Sequence, residues 1–233
     1  IVLAEKEQPQ EDAGVQDETV LIPVKYPEYA NRLTNLALLM RNPKRDHDLV
    51  ALSVVYDDAN IDRQRAEGCK LLEQVTSYAA SADVKMQSQL RVATNIANGI
   101  MHAFKEFRAT EVVIGMHMHF SDSTTFWGKF HQSLFNGLSR QIIMARLMQP
   151  LSTLRRIVVC VPSRAQFEPG FYRWLERLSR LAENLDCRIA YHGRQDTLTR
   201  IRQYELNHHE SVRAEYVEME HWNELPTLAA QIK

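Results

Sequence analysis

Residues able to do chemistry cluster in one stretch, Glu111 to Gln132, EVVIGMHMHFSDSTTFWGKFHQ. An apolar run there passes into a polar loop and then a helix. In that order, free backbone N–H groups and the positive end of a helix dipole hold phosphate. Gly115 and Gly128 stand where such a cradle needs backbone without a Cβ. Met118, between them, puts a side chain in the way of a close phosphate approach. Lys129 sets a cation on the first helical turn, against the macrodipole unless an anion lies beside it. Lys129 is either a phosphate ligand or a solvated lysine, and the second reading is favoured because charged side chains mostly face water. Gly115, Met118, Gly128 and Lys129 thus define a degenerate nucleotide or anion loop, suited to weak nucleotide or phosphate binding, with no tightly held cofactor expected.

Other candidate groups have simpler readings. His117 and His119 fall on one side of an extended chain, His131 lies close in sequence, and His208–His209 form a second pair. No local spacing supplies a third metal ligand and no carboxylate or cysteine cluster accompanies them, so polar loop histidines are expected and no metal. The hydroxyls of Ser121–Thr125 suit helix N-capping. Phe126, Trp127 and Phe130 pack on a sheet or form an interface patch. Asp57 and Asp58 close an apolar run, at a carboxyl edge where open α/β sheets bind ligands and where acidic residues also serve as turn formers. No Ser-His-Asp order, P-loop lysine or G-x-S-x-G elbow is present, so the chain is not expected to be an enzyme.

Composition narrows the class further. The 233 residues are 45% hydrophobic and 24% charged, enough for one large α/β domain or two small ones. A net charge of −1 and a pI near 6.8 disfavour a nucleic-acid partner. Cys69, Cys160 and Cys187 are odd in number and far apart, which argues against a disulfide framework and fits a reducing compartment. Cys69 and Cys160 lie in apolar contexts and read as small buried hydrophobes. No apolar run reaches the roughly 18 residues of a membrane span, and the start lacks a signal-peptide layout. Residues 1–18, acidic and Gln-rich after a short apolar start, read as a linker with something removed upstream.

The elements that must position these groups follow from periodicity. TVLIPV is a buried strand; Leu33, Leu36, Ala37 and Met40 recur at helical spacing; LVALSVVYD is a second buried strand. A helix through Cys69, Leu72 and Val75 comes next, then an alternating strand with Val84, Met86, Leu90 and Val92. A helix bearing Ile96, Ile100, Phe104 and Phe107 leads to EVVIGM, and the loop and its helix lead to QIIMARL. Five strands alternating with four helices predict an α/β, doubly wound parallel sheet over residues 19–150. From residue 151 the pattern restarts. LRRIVVCVP, a helix with Phe171, Trp174, Leu175, Leu178, Leu181 and Leu185, CRIAYHG, a helix through Leu198 and Ile201, SVRAEYVEM, and a last helix with Leu225, Leu228 and Ile232 form a second, incomplete unit over 151–233.

This order, with a strand-end glycine and a glycine-bearing loop, resembles the universal stress protein (adenine nucleotide hydrolase-like) fold. That family's loop has the form G-x2-G-x9-G-[ST], and here its positions are Gly115, Met118, Gly128 and Lys129. The resemblance also implies an aspartate after the first strand, near adenosine, where this chain reads Val24, Lys25, Tyr26. More narrowly, VLIPVKYPEYANRLTNLALLM, NIANGIMHAFKEFRATEVVIGMH, FWGKFHQSLF and PLSTLRRIVVCVPSRAQFEPGFYRWLERLSRLAENLDCRIAYH look like the cytosolic C-terminal region of bacterial monovalent cation:proton antiporters of the antiporter-2 family. That resemblance implies a non-catalytic regulatory domain on the cytoplasmic side of the bacterial inner membrane. Its partners would be the membrane antiporter domain of the same polypeptide and a second copy in a homo-oligomer. The alternative is a free-standing nucleotide-binding universal stress protein. A third reading, an enzyme of the wider nucleotide hydrolase-like superfamily, lacks a recognisable catalytic set.

Overall fold

The structure, a computed structural model, describes residues 18–42, 47–116 and 141–231. The chain divides into two compact units that meet in sequence at Leu151–Ser152.

The first unit runs β1 (Glu18–Pro23), α1 (Pro27–Met40), β2 (His47–Tyr56), α2 (Ile61–Ser81), β3 (Met86–Ala93), α3 (Ile96–Glu106), β4 (Glu111–Gly115) and β5 (Gln141–Ala145). All pairings are parallel, in the order β3-β2-β1-β4-β5. This is the doubly wound sheet expected from the alternating pattern. The helix expected between β4 and β5 lies outside the described residues.

Successive strands stack outward from β1 to β3, and the chain then crosses back to β4 on the far side of β1. Right-handed crossovers therefore place α1 and α2 on one face and α3 on the other. On the α3 face, Leu21, Val50, Leu52, Val112 and Ile114 meet Ala97, Ile100, Ala103 and Phe104 in one buried cluster. Glycines let both helix layers come close. A Cβ on Gly99 would lie 2.6 Å from Val54 Cγ1, and one on Gly68 would lie 2.9 Å from both Leu90 Cδ1 and Ser53 Oγ.

Helix ends follow local chemistry. Pro27 occupies the first turn of α1, where a missing N–H costs nothing, and the Asn95 side chain caps α3 by accepting from Asn98 N–H at 3.2 Å. Two helices of this unit close on a left-handed residue, Asp83 (φ 55°) and Arg108 (φ 49°), followed by a bond back five residues. Val84 N–H reaches Ala79 O at 3.0 Å and Ala109 N–H reaches Phe104 O at 2.9 Å.

The second unit repeats the first half of that plan: β6 (Arg156–Cys160), α4 (Phe171–Leu185), β7 (Arg188–Gly193), α5 (Gln195–His208), β8 (Arg213–Glu218) and α6 (Leu225–Gln231). Its strands are parallel in the order β6-β7-β8, so β8-β7-β6 reproduces β3-β2-β1. The α4 terminus repeats the same turn, with Asp186 at φ 48° and Cys187 N–H on Ala182 O at 3.1 Å. The core is Phe171, Leu175, Ala182, Ile189, Tyr191, Leu198, Ile201 and Tyr204. Among the described residues this sheet has three strands.

Cys69 departs from the sequence expectation. It is exposed, Cys160 is partly covered and Cys187 is buried. The reason is the close approach at Gly68: the side of α2 that faces the sheet carries Gly68, Leu71, Leu72, Val75 and Ala79, and Cys69, one residue further round, is turned to solvent.

Candidate functional site

Two places in the fold concentrate polar chemistry. The first is the carboxyl edge of the first sheet, where strand order reverses between β1 and β4, the point at which open α/β sheets bind ligands. The pairing of β1 with β4 is recorded at Val20↔Glu111 and Leu21↔Val112, while the strands run on to Pro23 and Gly115. In folds of this order the ligand crevice lies outside these carboxyl ends. Val24 N–H still bonds Leu52 O at 2.8 Å, and Met116 N–H bonds Ala145 O at 2.7 Å, so each strand end is tied to its outer neighbour.

Gly115 ends β4 at that edge, where the loop reading requires it. Met118, Gly128 and Lys129 lie outside the described residues, as do His117, His119, Ser121–Thr125, Phe126, Trp127, Phe130 and His131. After β1 the chain presents an exposed Lys25, its Nζ 5.2 Å from the centre of the Tyr26 ring. This edge therefore carries a cation. Asp58 acts as a turn residue: its Oδ1 accepts from Asn60 N–H and from Gln64 Nε2, both at 2.8 Å, and so organises the start of α2.

The second place is inside the second unit. The expectation of loop histidines fails for His209: it is 2% exposed, just past the end of α5, and lies against α4. Its Nε2 is 2.6 Å from Glu176 Oε2 and its Nδ1 is 3.1 Å from Glu183 Oε1. Neutral imidazole has one N–H, so two carboxylate contacts require the doubly protonated ring. Arg180 bridges the same carboxylates, Nε to Glu176 at 3.0 Å and Nη1 to Glu183 at 3.1 Å. Tyr204 O–H donates to Glu176 at 2.8 Å and Ser211 Oγ to Glu183 at 2.9 Å.

Beside this cluster lies Glu205, 3% exposed. Its Oε1 is 2.6 Å from the Tyr191 hydroxyl and 2.8 Å from Ser179 Oγ, and its Oε2 is buried without a partner among the described residues. Ser179 Oγ is also 2.7 Å from Leu175 O. A serine hydroxyl has one proton. It is shared between Leu175 O and Glu205 Oε1, the two acceptors within reach.

Burial raises the Glu205 pKa above the usual range, against the hydrogen bonds from Tyr191 and Ser179. Burial works against charge on Glu176 and His209 too. There the hydrogen bonds of His209 and Tyr204 and the charges of His209 and Arg180 hold Glu176 well below its usual range, and Glu176 and Glu183 hold His209 above its own. Burial raises the Tyr191 and Tyr204 hydroxyls, reinforced by Glu205 and Glu176 respectively, so both stay donors.

These groups escape a reading for motifs because their spacing is ordinary helix spacing. Glu176, Arg180 and Glu183 form one i, i+4, i+7 stripe beside the apolar stripe of α4, and Glu205 and His209 are four apart on the next helix. The sign available in the sequence is a serine at 179 on the apolar stripe. No metal-holding group of three His, Cys, Asp or Glu occurs among the described residues. His192, at the carboxyl end of β7, is buried with Nε2 unpartnered among the described residues, and burial followed by the nearby Arg156 charge lowers its pKa.

No protein-family model matches the chain, and no curated protein matches it in sequence. Similar solved structures include a universal stress protein from Archaeoglobus fulgidus, 12% identical over 93% of this chain and 82% of that one, with a TM-score of 0.62. Universal stress protein UspA from Lactobacillus plantarum is 16% identical over 57% of this chain and 100% of that one, with a TM-score of 0.47. A universal stress protein in complex with cAMP is 10% identical over 55% and 97%, with a TM-score of 0.46. The first similarity, which spans nearly the whole chain, shows the fold to be the doubly wound α/β fold of universal stress proteins.

Proposed function

We infer that the chain is a non-catalytic regulatory domain on the cytoplasmic side of a bacterial membrane, joined to a sodium or potassium/proton antiporter and acting on it from outside the ion path. The observation that carries this reading is the tandem plan. A first unit of five strands is followed by a second whose described strands repeat β3-β2-β1, in keeping with the tandem organisation implied by the resemblance of the quoted segments to antiporter C-terminal regions. No helix among the described residues is long and apolar enough to cross a membrane. The domain would sense a small anion or nucleotide, or hold a second copy, and pass on a coupling energy of about 1–3 kcal/mol. Determining the coding sequence upstream of Ile1 tests this. About ten or more spanning-length apolar segments are expected, together with altered cation/proton exchange in vesicles when residues 19–233 are deleted. A start codon at Ile1, or unchanged exchange, overturns it.

The switch point between β1 and β4 favours a second reading, a free-standing nucleotide-binding protein. The chain after β1 presents Lys25 and Tyr26 there, and the loop sequence carries Met118 and Lys129. These residues suit a phosphate better than an adenosine. Calorimetric titration with Mg-ATP is expected to show no site tighter than about 100 μM, an affinity of roughly 5–6 kcal/mol. A low-micromolar site makes the second reading the better one.

A further inference from the structure

His209 joins parts of the second unit that are distant in sequence. Its ring fastens the chain just after α5 to two carboxylates of α4, and Val212 N–H bonds His209 O at 3.0 Å; Ser211 Oγ on Glu183 at 2.9 Å and Arg213 Nη2 on Asp186 Oδ1 at 2.8 Å are further ties from the same turn to the end of α4. Every contact made by the ring nitrogens is to a carboxylate, and both need a donated proton. We propose that His209 is a pH-sensitive latch: with both ring nitrogens protonated it holds the 209–212 turn against α4, and loss of one proton on the alkaline side loosens that turn, leaving it tied by Ser211 and Arg213.

The groups facing the ring define what that loss does. From α4 come Glu176, Arg180 and Glu183; from α5 come Tyr204, its ring centre 5.7 Å from the imidazole, with His208 stacked on Tyr204 at 4.6 Å, and Glu205 nearby. From β7, Tyr191 reaches the cluster through Glu205, and Tyr216 of β8 stacks on Tyr191 at 6.0 Å. Removing the His209 proton turns one ring N–H into a lone pair aimed at a carboxylate, Glu176 Oε2 or Glu183 Oε1. Burial prevents water from making up that contact. The neighbouring carboxylates raise the folded-state pKa of His209, so the stabilisation is complete below the unfolded value, 6.5, and is lost as pH rises through the folded value. Over that span one more proton is bound in the folded state, so the folding equilibrium constant falls by up to about tenfold per pH unit. Any signal carried by the second unit would inherit this dependence, and Tyr191 and Tyr204, whose hydroxyls burial has raised, leave the alkaline response to His209.

The test is a pH titration of the whole chain by NMR from pH 6 upward, with labelled histidine and backbone nitrogen. The His209 ring is expected to titrate above 6.5, and the amides of residues 205–214 to shift with the same midpoint. Glu183→Gln, which keeps the Glu176 contact, is expected to move both midpoints down together. His209→Gln, where it folds, is expected to abolish the alkaline shift of the 205–214 amides. A His209 midpoint at or below 6.5, or amides of 205–214 that ignore it, overturns the latch.

Discussion

Glu176 and Glu205 lie in the same buried cluster, and their pKa values move in opposite directions because their partners differ. Glu176 receives a histidinium, a guanidinium and a phenol, all of which favour the anion; Glu205 receives only neutral hydroxyls and keeps one oxygen unpartnered among the described residues. Removing a charge should therefore matter at one and hardly at the other. In urea unfolding at pH 7, Glu176→Gln is expected to cost about 3 kcal/mol, since it leaves the buried His209 short of an anionic partner. Glu205→Gln, which keeps the shape and removes a charge that burial disfavours, is expected to stay within about 1 kcal/mol. Equal losses would contradict the opposed directions. Neither direction could be read from the sequence, where the two residues are identical in type and both sit in helical patterns.

At the scale of elements, α3 is held by two features that pull in opposite directions. Its sheet-facing side is fitted to the strands at Gly99, where a Cβ would lie 2.6 Å from the stiff, β-branched Val54. Its end is closed by Arg108 at φ 49°, a conformation that costs an L-residue with a Cβ about 1 kcal/mol or more. Gly99→Val is expected to destabilise by about 2–3 kcal/mol, through overpacking that no neighbouring backbone can relieve. Arg108→Gly is expected to stabilise by about 0.5–1 kcal/mol, because the exposed side chain is lost without disturbing the bond from Ala109 to Phe104. Denaturant midpoints of the two variants should move to opposite sides of the parent. The helix itself was legible from Ile96, Ile100 and Phe104 at helical spacing, whereas the left-handed arginine at its end carries no glycine to announce it.

In the whole molecule the titrating cluster belongs to one unit, so acid should act unevenly. The folded pKa of Glu176 lies far below the unfolded 4.5; its stabilisation is present above 4.5 and is lost as pH falls through the folded value. When urea unfolding is followed by residue-resolved NMR at pH 7 and at pH 3.5, the midpoint read at β7 is expected to fall more than that read at β2. A common fall in both sheets would show that the acid response is not set by this cluster. The difference between the units also explains why the second was harder to read for function. Its strands and helices follow the same periods as the first, but its chemistry is internal, built where α4 and α5 meet rather than at a sheet edge that a motif could mark.

The sequence by itself determined where strands and helices lie, because buried parallel strands must be short apolar runs and helices on a sheet must repeat apolar residues every three or four positions. It also determined that the second unit restarts the pattern of the first, and it placed Gly115 at a strand end. Only tertiary structure decided the rest. The order β3-β2-β1-β4-β5, which sets the switch point beside Gly115, depends on a crossover between strands far apart in the chain. The exposure of Cys69 depends on Gly68 being the point of closest approach to β2 and β3. His209 is buried against two carboxylates that α4 supplies from more than twenty residues away, and contacts across that distance leave no local pattern.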